Sequence, residues 1–255
     1  MSRFFRGNGM MVVMFIVLAA SMILQGDVLS HPLQWLIWKL FIIPGIIIGI
    51  TVHEFAHAIA AYKLGDPTPK IQKRVTLNPL AHIEPIGLIA LLLIGFGWGK
   101  PVQVNPYAFR RERLYNFITD IAGVVTNFIM AILFTGIYRI VENALLHMTF
   151  AGNHTQYYIM YYLCIVIQCV IYMNLVLMIF NLLPVPPLDG FGIITELFDL
   201  RRKPIYHQIY NAGFPILIVL IMLQVPARVI APVIRFFYHL LANIFGISGV
   251  FDMFL

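Results

Sequence analysis

Residues 40–62 read LFIIPGIIIGITVHEFAHAIAAY, an apolar run long enough to cross the hydrocarbon core of a bilayer as a helix. Within five positions of this run stand three ionisable side chains, His53, Glu54 and His57. Burying such groups among apolar residues is costly, so ionisable residues inside a membrane helix are candidates for function. The run therefore predicts a membrane protein and also the place of its chemistry.

The rest of the chain supports a membrane location, because 60% of its 255 residues are hydrophobic and only 11% are charged. A soluble domain has about 25% charged residues. Three further runs approach or exceed the roughly 20 residues of a span: Phe117–Tyr138, Tyr157–Leu183 and Tyr206–Leu223. The stretch Met10–Leu24 is interpreted as an uncleaved first span, since no small-x-small cleavage site follows it.

These runs predict an all-α polytopic membrane protein with about five to six transmembrane helices, a short re-entrant or interfacial segment and room for a small β-hairpin. We treat residues 1–255 as a single domain, with a catalytic core at about 34–200 and C-terminal helices at about 204–255. The formal net charge of +6 comes from basic residues beside apolar runs, where they contact lipid headgroups, so it does not indicate nucleic acid. Cys164 and Cys169 lie in one apolar run and are expected to be buried packing residues.

Basic residues also predict the topology, because they are enriched in short cytoplasmic loops. Arg3 and Arg6 place the N-terminus in the cytoplasm. The segment Ile83–Trp98 has only 16 residues, contains Glu84 and Pro85, and has basic clusters on both sides. Both clusters stay cytoplasmic if this segment dips into the membrane and returns, or lies along the interface. The chain is then expected to bring residue 189 to the same leaflet as the histidines.

The pattern His-Glu-Phe-Ala-His at residues 53–57 predicts a zinc hydrolase. On a helix, positions i and i+4 lie on one face, so two imidazoles can reach one metal ion while Glu54 points at a water that the metal activates. Zinc lowers the pKa of such a water to about 7, and a carboxylate can take its proton during attack on an amide. The alternative is that both histidines are structural and pair with Glu54 to join helices.

A zinc hydrolase takes a third protein ligand and leaves a fourth position open. Asp189 is the best candidate, near the end of the stretch Asn-Leu-Leu-Pro-Val-Pro-Pro-Leu-Asp-Gly at residues 181–190. The prolines are expected to hold this chain extended, and Gly190 to allow a sharp turn beside the carboxylate. Glu196 is the rival ligand, since many helical zinc proteases take a glutamate from a later helix.

Three asparagines in the apolar runs are candidates for holding a substrate backbone or stabilising an oxyanion, namely Asn127, Asn174 and Asn181. Asp120, Gly123 and Asn127 share one helix face through their spacing, and Asn174 and Asn181 share another. Gly123 would allow two helices to approach closely. Structural bonding between helices is the alternative for Asn127 and Asn174, whereas Asn181, beside the proline stretch, is the better candidate for function.

Two short segments, Lys70–Thr76 and Pro101–Asn105, have the alternation and flanking prolines of strands. A free strand edge there could accept an unwound substrate by strand addition. Pro44, Gly45 and Gly49 are expected to weaken the helix that precedes the histidines.

These motifs resemble those of the site-2 protease family of intramembrane zinc metalloproteases, peptidase family M50, in its compact prokaryotic branch. The resemblance covers most of the chain and is carried by four segments: His-Glu-x-x-His at 53–57, Gly123-x-x-x-Asn127, the stretch at 181–190, and Gly-Trp-Gly-Lys-Pro-Val-Gln-Val-Asn-Pro at 97–106. One departure is Gly123-Val124, where the family usually has Gly-Pro.

The resemblance implies a three-helix catalytic core that cleaves transmembrane segments of membrane protein substrates. By matched position, it implies Zn²⁺ bound by His53, His57 and Asp189, with Glu54 activating water and Asn181 contacting substrate. No loop has room for a regulatory module of about 50 residues, so regulation is expected from a membrane partner. The implied location is a prokaryotic plasma membrane, with the active site opening to the cytoplasm.

Two alternatives stay open. One is a zinc protease of another membrane class that acts on soluble or lipidated peptides, for which ligation by Glu196 would be the distinguishing feature. The other is a non-proteolytic zinc-binding transporter or scaffold that uses the same histidines. A transporter is expected to show paired broken helices or an internal repeat, and neither is visible in the sequence.

Overall fold

The computed structural model describes residues 31–94, 97–148 and 154–247. The predicted first span, Met10–Leu24, lies outside these residues, as do Arg3 and Arg6. The described residues form eight α-helices: α1 (Pro32–Lys63), α2 (Thr68–Ile71), α3 (Pro85–Ile94), α4 (Glu112–His147), α5 (His154–Asn181), α6 (Asp189–Leu197), α7 (Ile205–Met222) and α8 (Val225–Phe245). Short 3₁₀ helices cover Pro79–Ala81, Pro106–Ala108 and Leu200–Arg202.

Five of these helices are long and apolar enough to cross a membrane: α1, α4, α5, α7 and the part of α8 from Arg228 to Phe245. They confirm an all-α polytopic membrane protein, and four of them correspond to the predicted runs. The span in α8 was not predicted, because Arg228, Pro232 and Arg235 interrupt its apolar sequence. Its buried residues, Ile230, Ile234, Tyr238 and Leu241, recur at helical spacing on one side.

Helices α1, α4 and α5 pack against one another and form the centre of the molecule. Helix α8 covers the other side of α4 and α5, and α6 packs against α4. The main apolar cluster lies between α4, α5 and α8, with Ala131, Ile171 and Leu175 fully buried. Cys164 and Cys169 are buried free thiols, as expected of packing residues.

Helix α1 runs unbroken through Pro44, and its glycines serve close packing. A Cβ on Gly45 would lie 2.7 Å from the carbonyl oxygen of Cys169, and one on Gly49 would lie 2.5 Å from Cδ1 of Leu177. Both contacts are with α5. The expected weakening of α1 therefore stays a prediction, and the structure adds that these glycines let α5 approach the helix that carries the histidines.

The segment around α3 packs Leu88, Leu91 and Leu92 against α1 and α5, and its two ends lie side by side. Ile83 and Gly99 form an antiparallel bridge, and the N–H of Lys100 donates to the carbonyl of His82 at 2.6 Å. The ten residues of α3 span about 15 Å, half of the roughly 30 Å hydrocarbon core. This geometry agrees with the predicted re-entrant or interfacial segment.

The two predicted strands are not formed, and no named strand occurs in the described ranges. The first segment, Lys70–Thr76, overlaps the helical turn α2, which ends at Ile71. The side chain of Asp66 accepts a hydrogen bond from the N–H of Thr68 at 2.9 Å, which favours this turn over an extended strand.

The second segment, Pro101–Asn105, is non-helical but pairs with side chains instead of with another strand. The N–H of Val102 donates to Oε2 of Glu54 at 3.0 Å, and the N–H of Asn105 donates to Oδ2 of Asp66 at 2.7 Å. Carboxylates thus take backbone donors that a hairpin partner would otherwise use. The prediction of a small β-hairpin is therefore wrong for this part of the chain.

Candidate metal centre

Three side chains converge where α1 meets the start of α6. Nε2 of His53 and Nε2 of His57 lie 3.0 Å apart. Oδ2 of Asp189 lies 3.1 Å from the first nitrogen and 3.2 Å from the second. Among the described residues, only this group of His, Cys, Asp or Glu side chains has the geometry to hold a metal ion.

The hydrogen bonds on the far side of each ring decide where the imidazole protons lie. Nδ1 of His57 donates to the backbone carbonyl of Thr119 at 2.7 Å, and Nδ1 of His53 donates to Oδ1 of Asn127 at 2.9 Å. Both oxygens can only accept, so each neutral ring presents a lone pair at Nε2. Oδ2 of Asp189 is buried, and no donor in the described part of the chain bonds to it. Three atoms with free lone pairs, two imidazole nitrogens and one carboxylate oxygen, therefore face the same point. A cation bound at that point would pair with all three.

This donor set fits zinc. Two imidazole nitrogens and one carboxylate oxygen match a catalytic zinc site that keeps a fourth position open. Ligands about 2.1 Å from a tetrahedral metal are separated by about 3.4 Å, close to the 3.0–3.2 Å between these atoms. The Nδ1 bonds to Asn127 and Thr119 supply the outer contacts that metal-binding histidines ordinarily make.

Gly123 on α4 faces the two imidazoles directly. A Cβ at this position would lie 2.5 Å from Nε2 of His57 and 2.6 Å from Cε1 of His53. A side chain would therefore enter the space in front of the metal-binding nitrogens. The expectation that Gly123 permits close approach is confirmed, and its neighbour Val124 is buried in the apolar cluster.

Glu54 is held through one of its two carboxylate oxygens. Oε2 accepts the N–H of Val102, in the segment that follows α3. Oε1 makes no hydrogen bond in the part of the chain that the structure describes, and lies 3.9 Å from the position of a Cβ on Gly99. The carboxylate is thus oriented by the backbone while one oxygen stays free to accept a proton.

Asp189 reaches the histidines in a different way from the one predicted. It is the first residue of α6, preceded by an extended Leu188, and does not lie in a turn. A Cβ on Gly190 would lie 2.6 Å from the carbonyl oxygen of Leu183. Gly190 therefore permits α6 to begin against the end of α5, and the expected sharp turn at this glycine is wrong.

Glu196, the rival ligand, is engaged elsewhere. Its Oε1 receives two 2.7 Å contacts from the guanidinium of Arg201, and its backbone carbonyl accepts a bond from Arg113. Burial raises the pKa of Glu196, although Arg201 acts in the opposite direction. The geometry thus favours Asp189 as the third ligand.

The structure separates the three candidate asparagines. Asn127 is fully buried and bonds to the ring of His53 on the side away from Nε2. Nδ2 of Asn174 donates to the carbonyl of Val170, and Nδ2 of Asn181 donates to that of Leu177, each within α5. Only Asn181 is partly exposed, so a contact with substrate stays a prediction for that residue.

Sequence reasoning missed two backbone groups of the site, the carbonyl of Thr119 and the N–H of Val102. Thr119 stands four residues before Gly123, on the same helix face, and this spacing was the available signal. Nothing local marks Val102, because its partner Glu54 lies 48 positions away.

Comparison with known proteins places the chain in a family. The family model for peptidase family M50 matches residues 159–224. YwhC of Bacillus subtilis, provisionally named a zinc metalloprotease, is 37% identical over 202 residues, which are 76% of this chain and 86% of that protein. Rip2 of Mycolicibacterium smegmatis, named in the same way, is 26% identical over 227 residues, 86% of this chain and 78% of Rip2. No solved structure matches the chain at a significant level. At this identity and coverage to YwhC, the chain belongs to peptidase family M50.

Proposed function

We propose that this chain is an intramembrane zinc endopeptidase that hydrolyses peptide bonds in or near the transmembrane segments of other membrane proteins. As a member of peptidase family M50, the chain is a zinc metalloprotease of the membrane. The observation that carries the proposal is the convergence of three acceptors, on His53, His57 and Asp189, inside an apolar helix bundle. Family membership favours this function over the transporter or scaffold alternative.

The chain's own groups supply the proton transfers. When bound, zinc polarises the scissile carbonyl and lowers the pKa of the attacking water. Glu54 takes the proton of that water at Oε1, because Oε2 is held by the N–H of Val102. The same carboxyl group then gives the proton to the leaving amine. His53 and His57 keep their orientation through the Nδ1 bonds, and Gly123 keeps the space before them open.

The position of the site along α1 supports cleavage at membrane depth. His53 and His57 precede Lys63, the end of α1, by about 15 Å and 9 Å of helix rise. A substrate helix in lipid bonds its own amides internally, so it has to unwind before a carbonyl can reach the zinc. A site near the end of a span suits such a segment, because water can enter there.

We further propose that this end of the bundle faces the cytoplasm of a prokaryotic cell. Support comes from the basic residues on both sides of α3, which include the exposed Lys73 and Arg111. With the native cysteines replaced, single cysteines at these two positions are expected to react with an impermeant thiol reagent from the cytoplasmic face only. Labelling of the two sites from opposite faces would contradict the topology.

The function is tested with Glu54→Gln, which keeps the three ligands but cannot accept the proton. We expect zinc content to stay unchanged and cleavage to fall by at least about 100-fold. A comparison of membrane-protein fragments in cells with the native chain or the variant identifies a substrate, which is then assayed with purified protein. Glu84→Gln, at the start of α3, is the matched control and is expected to keep its activity. Near-native turnover by Glu54→Gln would rule out the assigned base.

A further inference from the structure

Two buried amides face each other beside Gly49, between α1, α4 and α5. Asn127 on α4 and Asn174 on α5 both have 0% of their surface exposed. Nδ2 of Asn127 and Oδ1 of Asn174 have no hydrogen-bond partner among the residues that the structure describes. Both atoms lie within 3.7 Å of the position that a Cβ on Gly49 would take. An unpaired donor and an unpaired acceptor thus lie close to one glycine.

In each amide group, one of the two polar atoms is already hydrogen-bonded, and this determines which atom points to Gly49. Nδ2 of Asn174 donates to the carbonyl of Val170 at 2.8 Å, which leaves Oδ1 as the atom turned inward. Oδ1 of Asn127 accepts from Nδ1 of His53 at 2.9 Å, which leaves Nδ2 turned inward. A buried polar group without a partner is costly, and these two groups are complementary.

We infer that Asn174 is a positioning residue of the zinc site: one buried water accepts a hydrogen bond from Nδ2 of Asn127 and donates one to Oδ1 of Asn174, since these two atoms make no direct bond, and so holds Asn127 against His53. The inference rests on the proposed role of His53 as a metal ligand. Gly49 is part of the arrangement, since a Cβ there would contact both amides and take up space beside them.

The relay has a direction, and the direction matters for the metal. Val170 accepts from Asn174, Asn174 accepts from the bridging water, the water accepts from Asn127, and Asn127 accepts from His53. If the amide of Asn127 were reversed, its NH₂ group would face Nδ1 of His53 and the ring proton would move to Nε2. Nε2 would then point an N–H at the metal position instead of a lone pair. By keeping Asn127 in place, Asn174 supports the orientation of a ligand that it does not touch.

The test is a double-mutant cycle on the full-length chain in detergent. Asn127→Leu, Asn174→Leu and the double variant are compared by zinc affinity, through chelator competition, and by the visible absorption spectrum of the Co²⁺-loaded protein. Each single change is expected to weaken zinc binding by about tenfold or more. The double variant is expected to bind zinc no more weakly than Asn127→Leu alone, because Asn174 acts only through Asn127. Both single variants are expected to shift the Co²⁺ spectrum in the same way.

Thr135→Val is the matched control, because Thr135 is another fully buried polar residue of α4 whose hydroxyl donates to its own helix, at Ala131. It is expected to leave zinc affinity and the Co²⁺ spectrum unchanged. Asn174→Ala is measured alongside, in case leucine beside Gly49 prevents folding. Wild-type zinc affinity in a folded Asn174 variant, or additive losses in the double variant, would overturn the relay. If His53→Ala keeps full zinc affinity, the proposed zinc site itself fails, and the relay fails with it.

Discussion

Two buried polar clusters occupy different ends of the same helix bundle. His53 is 6% exposed and Glu142 is 5% exposed, so burial does not distinguish them. Around Glu142, donors meet acceptors: Arg139 donates to Glu142 at 3.1 Å, and Gln168 donates to Tyr138 at 3.0 Å. Around His53, the acceptor atoms of His53, His57 and Asp189 meet, and no donor among the described residues lies between them. The difference teaches that the balance of donors and acceptors, more than burial, marks the functional site in this bundle.

Removing one of the three acceptors is expected to have the largest effect. Asp189→Ala should weaken zinc binding by more than about 100-fold, beyond the 10–100-fold typical of outer contacts. Glu196→Ala is the control, since it removes the other carboxyl group of α6, which binds Arg201 instead. The measurement is the amount of zinc bound per chain after dialysis, compared between the two variants. Full zinc occupancy in the Asp189 variant, with depletion in the Glu196 variant, would reverse the ligand assignment.

Filling the space before the acceptors is expected to have the next largest effect. Gly123→Ala places a methyl group 2.5 Å from Nε2 of His57, so zinc affinity should fall by at least about tenfold. Gly136→Ala is a matched control on the same helix, because its Cβ would lie 3.3 Å from a ring carbon of Phe245, which can shift. Chelator competition measures both variants. Equal zinc affinity in the two would show that the approach of α4 to the histidines does not shape the site.

The smallest effect is expected at the balanced cluster. Glu142→Gln should leave zinc affinity and cleavage within about twofold of the native values. It should lower the free energy of unfolding by about 1 kcal/mol or less, because Arg139 is 36% exposed and water screens the pair. Denaturant titration in detergent provides the measurement. A clear loss of zinc in this variant would break the distinction between the two clusters.

The sequence predicted the parts of the site that depend on local spacing. His53, Glu54 and His57 share one helix, so their arrangement follows from helix geometry alone. The prediction of Asp189 also required the membrane topology, that is, which loops lie on the same side of the bilayer. The basic residues around α3 indicated that topology. Gly123 followed from its spacing to polar neighbours on α4.

What could not be predicted depends on partners far away in the sequence. The alternation in residues 101–105 suggested a strand, but the actual partners of Val102 and Asn105 are carboxylates 48 and 39 positions away. Asn127 was placed on the correct helix face, yet the spacing does not say that His53 would meet it. The span in α8 was hidden because its arginines interrupt the apolar run that hydropathy detects.

In the proposed zinc site, the metal would also be a reversible cross-link between α1 and α6. The unfolded chain has no such site, so the free energy of zinc binding adds to the free energy of folding. At a free zinc concentration 100 times the dissociation constant, this linkage contributes about 2.7 kcal/mol. We therefore expect the lifetime of the folded protease in its membrane to follow the zinc supply of the cell, and a chain without zinc to be both inactive and easier to unfold.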